Sequence, residues 1–237
     1  MKIGIMQPYF LPYLGYWQLM NAVDKYIVLD DVNYIKRGWI NRNRILLNGK
    51  EHVITLPLEK ADAFKKISEN VIKEVPEALS RTIDLAYHKA PQYAAVRPVI
   101  DRILGCAERN LADFVYNSIR AIATYLDIHT EFLRASEISH DPTLHAQDMI
   151  IDLCRLQGAS EYYNAIGGTE LYSGERFAKE GMKLSFVKAK LTPYPQFGGE
   201  FVPGLSILDV IMFNPVERIR EMLNDFELIS PMEGYDA

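Results

Sequence analysis

Cysteine is scarce: Cys106 and Cys154 are the chain's two, too few and too isolated for a disulfide framework or a cysteine-based zinc site. A reduced, cytoplasmic setting is therefore expected. No run approaches the roughly 20 apolar residues that cross a bilayer, so no membrane span is expected. The first residues hold a single lysine before Gln7-Pro8, which does not fit a signal peptide. A basic excess is missing as well: the formal net charge of −5 argues against a nucleic-acid partner. There is no GxSxG, and neither cysteine has a neighbouring histidine, so no nucleophilic triad is expected.

What is present is an ordinary globular composition, 49% hydrophobic and 24% charged, with 14 tyrosines. Tyrosine joins an apolar ring to a hydrogen-bonding tip and suits half-wet pockets. At 237 residues the chain is read as a single α/β domain over 1–237. KIGIMQ (2–7) predicts a buried strand ended by Pro8, which has no amide hydrogen to give a ladder. Residues 15–22 show helical spacing, and KYIVL (25–29) predicts a second buried strand closing on Asp30-Asp31. A strand, loop, helix and strand in this order form a βαβ unit, in which ligands collect at the carboxyl ends of the strands.

Further along, 40–47 and 52–58 predict a hairpin around Asn48-Gly49. From 72 to about 126 the spacing is helical, in three segments. Strands are expected at 131–134, 161–165 and 184–188. Helices are expected at 145–157 (capped by Gly158), 172–180, 205–213 and 215–224, and a frayed tail at 230–237. The fold class that follows is α/β, a parallel-sheet Rossmann-like core with a helical insertion.

Several clusters carry candidate chemistry. The opening loop offers Gln7, Pro8, Tyr9, Tyr13, Gly15 and Tyr16 at the end of the first strand. Asp30 and Asp31, at the end of the second, are followed by Asn33, Lys36, Arg37, Asn41, Arg42 and Arg44; carboxylates beside cationic forks fit an anionic ligand, though charge clusters are often merely solvated. His88 and Lys89 close a helix, where they serve either acid–base work and phosphate binding or the helix dipole. Asn164, Gly167 and Gly168 lie in a strand-to-helix turn, which either cradles an anion or simply turns. Ser206 and Asp209 fit a variant capping box. His140 and His145, five apart with Pro142 between them, do not share a helix face, and no metal site is expected.

Together QPYFLPYLGYW, LDDVNYIKRGWINRNRI, YHKAP, YYNAIGG and LSILDVIMFN resemble the WbqC-like family. That resemblance implies a place in O-antigen or other surface-polysaccharide biosynthesis, and a transferase joining glycine or another acyl group to an amino sugar. The implied partners are a nucleotide-linked amino sugar and an activated acyl or aminoacyl donor; no cofactor is named. The base would be Asp30, Asp31 or His88, and Lys36, Arg37 and Arg42 would hold the diphosphate. The opening is also similar to nucleotidylyltransferase-like folds, whose HxGH stands where this chain has Tyr13-Leu14-Gly15-Tyr16. That likeness implies the alternative of an ATP-dependent ligase or nucleotidylyltransferase with Mg²⁺ at the acidic pair; a separate alternative is a nucleotide-sugar binding protein without catalysis. The sequence does not decide between a monomer and a homo-oligomer.

Overall fold

The computed structural model describes residues 1–231; residues 232–237, most of the expected tail, lie outside the described part. Five parallel strands form the sheet's body: β1 (Lys2–Met6), β2 (Lys25–Val28), β5 (Glu131–Arg134), β6 (Glu161–Ala165) and β7 (Lys183–Ala189). A sixth, β8 (Phe226–Ile229), pairs antiparallel with β7. The spatial order is β5-β2-β1-β6-β7-β8, so the direction of winding reverses between β1 and β6. This is the doubly wound, Rossmann-like arrangement, with its ligand edge at the carboxyl ends of the strands. The remaining strands, β3 (Arg42–Leu47) and β4 (Lys50–Thr55), form a separate hairpin. Its turn has Asn48 and Gly49 at φ of 52° and 72°, as a two-residue type I′ connection requires.

Side-chain alternation sorts the sheet's two faces. Ile3, Ile5, Ile27, Tyr162, Leu184 and Phe186 pack with α5 (Ala146–Leu156) and α6 (Gly174–Lys179). Tyr26, Val28, Tyr163 and Val187 face the larger core, built from α1 (Leu14–Asn21), α4 (Leu111–Leu126) and α8 (Val216–Asn224). The same core continues into α2 (Glu77–Tyr87), α3 (Tyr93–Leu104), α7 (Ile207–Phe213) and the hairpin residues Ile45 and Ile54. The helical stretch read from the sequence is thus α2 to α4, inserted with the hairpin between β2 and β5. Residues 226–229, given no element by the sequence reading, are a strand because β7 would otherwise present an open edge. Among the described residues no helix is long and apolar enough to cross a membrane.

Candidate functional site: two clefts at the carboxyl edge

The loop after β1 is clamped in place. Asn43 Nδ2 donates to the carbonyls of Phe10 (3.0 Å) and Leu11 (2.8 Å), and Ser206 Oγ donates to Leu11 O (2.8 Å). Pro12 O accepts from the Trp17 indole at 3.0 Å and from Ile207 N at 3.0 Å. These bonds hold Leu11 at φ 46°, a left-handed conformation that an unrestrained leucine avoids. The result is a fixed wall. Tyr9 and Tyr13 on that wall, with Trp39, Asn43, Arg44 and Leu191, line a cleft of about 230 Å³. Burial pushes the Tyr9 and Tyr13 phenols up, so both stay protonated and offer hydroxyl donors beside their rings. Arg42 and Arg44 lie over the Trp39 ring at 5.6 and 5.4 Å.

A second, more polar cleft of about 590 Å³ opens at the ends of β2 and β5. Asp31, Asn33, Lys66, Ser136, His140 and His145 line it, and α5 begins at its wall. The two acidic neighbours point in different directions, as successive residues of an extended chain do. Asp30 is buried and accepts from Ser136 N (2.9 Å) and Ser136 Oγ (2.7 Å). Asp31 Oδ2 instead meets His140 Nε2 at 3.1 Å. No group of three or more histidine, cysteine or acidic side chains placed to hold a metal ion occurs among the described residues.

The sequence candidates divide accordingly. Tyr9, Tyr13, Asp31 and Asn33 line one cleft or the other. Lys36 and Arg37 are exposed on the loop between the two clefts. Arg42 donates to the carbonyls of Gly38 (2.8 Å) and Arg37, so its fork shapes that loop. Pro8 is buried; Tyr16, 2% exposed, packs on Tyr9 and Tyr26 and donates to Gln7 O at 2.6 Å. Asn41 is likewise internal, joining the Tyr34 hydroxyl to the Leu56 carbonyl. These are supports behind the wall rather than its surface. Gly15 opens α1 against the Tyr13 ring and Ala189, and Asn164, Gly167 and Gly168 form the end of β6 and its turn; none lines either cleft.

His88 and Lys89 are the outliers. They are exposed at the end of α2, line neither cleft, and His88 Nδ1 contacts Asp84 O at 3.0 Å. The dipole role weighed for them is the one their position fits. Sequence reasoning missed His140, Trp39 and Asn43 as site residues. His140 was considered only with His145 as a metal ligand, and nothing local announces its pairing with a residue 109 positions earlier. Asn43 did have a signal, since it lies inside the RNR run.

A three-layer, mainly parallel α/β protein of Rossmann-like type, with clefts at the carboxyl ends of its strands, is the class these features define. Within it, the chain belongs to the WbqC-like protein family, which it matches over residues 7–221. It is also similar to an uncharacterized protein of Mycobacterium tuberculosis, 29% identical over 218 residues, covering 90% of this chain and 93% of that protein. No solved structure matches the chain.

Proposed function

We propose that the protein is a transferase of surface-polysaccharide biosynthesis, working in the cytoplasm, that attaches glycine or another acyl group to the amine of a nucleotide-linked amino sugar. The observation that carries this reading is the pairing of unlike clefts on either side of one loop: aromatic rings and an arginine in one, a carboxylate with histidine in the other. Tyr9, Tyr13 and Trp39 stack a base or sugar ring. Lys36 and Arg37 meet the diphosphate, with Arg42 holding their loop in shape. Asp31 faces the reacting amine. An amine already positioned beside an activated acyl carbon needs little beyond alignment and removal of a proton, so the chemistry does not require a nucleophilic triad.

Mass spectrometry of a nucleotide-linked 4-amino sugar incubated with the protein and activated glycyl donors tests the proposal. A glycyl-sized mass increase that Arg42→Ala reduces is the expected result. No product with any activated donor, together with no binding of the nucleotide sugar, would reject it.

A further inference from the structure

Asp31 and His140 come from the ends of different strands yet meet with side chains only 8% and 10% exposed. His140 Nδ1 lies 2.9 Å from the carbonyl of Ile138. A carbonyl only accepts, so Nδ1 donates there and Nε2 is left facing Asp31 Oδ2. Both imidazole nitrogens are thereby occupied, and the carboxylate is locked in one orientation. Its other oxygen is different. Asp31 Oδ1 is buried and has no hydrogen-bond partner, on a residue that lines the larger cleft. A buried acceptor left without a partner is costly.

We propose that Asp31 Oδ1 is the acceptor for an N–H of a ligand's amino group, and that His140 is the positioning residue that holds the carboxylate for it. The rest of the cleft sets the ligand's class. Lys66 stands on its wall and α5 begins there, so an anionic group is favoured at that end. Taken with the transferase reading, the ligand is an amino sugar carrying phosphate.

Resting on the transferase reading, the same oxygen has a place in the reaction. The amine nitrogen bonds to the acyl carbon of an activated acyl compound, and the bond from that carbon to its leaving group breaks. The leaving group departs with the electron pair. The adduct's nitrogen, positively charged and strongly acidic, gives its proton to Oδ1, which returns it to solvent. So acidic an N–H needs only a weak base to take its proton.

The test uses side-chain imidazole signals in nitrogen-15 spectra of the full chain. The probes are glucosamine 6-phosphate, its N-acetyl counterpart and inorganic phosphate. The free amine is expected to shift the His140 signals and to bind at least tenfold tighter than the N-acetyl compound. Asp31→Asn is expected to remove that preference, His140→Leu to weaken it, and His140→Gln, which keeps an N–H aimed at Asp31, to restore most of it. Loss of the preference in Asp31→Asn with phosphate binding unchanged separates a ligand contact from a folding defect. No response of His140 to the free amine, or an unchanged preference in Asp31→Asn, would overturn the proposal. The probe has neither nucleotide nor acyl donor: amine recognition without glycyl transfer would reject the transferase reading alone, and glycyl transfer by Asp31→Asn at the wild-type rate would reject this inference alone.

Discussion

Asn43 and Asp209 show how single polar side chains hold the site's frame. Asn43 gives both amide hydrogens to the loop carrying Tyr9 and Tyr13. Asn43→Ala leaves two carbonyls without those donors, and a loss of about 1–3 kcal/mol is expected by urea denaturation, with weaker binding in the aromatic cleft. Asp209 is fully buried and accepts from Tyr87 (2.9 Å), Tyr194 (2.7 Å) and Gln196. Burial pushes its carboxyl up, and the three donors only partly pull it back. A carboxyl raised in the folded state binds its proton more tightly there, so its contribution is full below the unfolded value and is lost as pH rises. Asp209→Asn is therefore expected to gain stability relative to the wild type from about pH 4 to pH 7, read from urea midpoints. Asp209→Leu takes the shared acceptor from Tyr87, Tyr194 and Gln196 and is expected to lose about 3 kcal/mol or more. The sequence showed Ser206 as a helix cap, and it does accept from Leu208 N at 3.2 Å. It misplaced Asp209 in a capping box, because the competing donors arrive from positions 87 and 194, which local spacing does not reveal.

At the scale of elements, strands and helices were legible wherever apolar periodicity was strong, and their ends moved by a few residues. The hairpin is legible from two strand-like runs joined at Asn48-Gly49, a pair that tolerates the positive φ both turn positions need. Among the strands of the described residues β8 escaped, its four residues being fixed by pairing with β7 rather than by a pattern of their own. Two glycines separate backbone strain from crowding. A Cβ at Gly49 meets nothing within 4 Å, so Gly49→Ala is expected to cost about 1 kcal/mol through φ and to leave ligand binding unchanged. A Cβ at Gly15 falls 2.5 Å from the Tyr13 ring and 2.7 Å from Ala189 Cβ. Gly15→Ala is expected to cost about 1–3 kcal/mol by overpacking and to displace Tyr13, lowering affinity in the aromatic cleft; calorimetry and denaturation on both variants check the contrast.

For the molecule as a whole, alternating elements gave the α/β class, but strand order is a property of long-range pairing. The order β5-β2-β1-β6-β7-β8 is what brings residues 31 and 140 together, and the insertion between β2 and β5 is what sets Trp39 and Arg44 beside the loop after β1. Two tryptophans report on this arrangement separately: Trp17 is 0% exposed in the core, whereas Trp39 is 39% exposed in the aromatic cleft. The most direct measurement is a nitrogen-15 titration of the full chain with a nucleotide-linked amino sugar, following the Trp39 indole and the His140 imidazole together. Both signals are expected to move with one saturation curve, while the Trp17 indole and His88 stay still. Binding that moves His88 and leaves Trp39 and His140 in place would contradict the account.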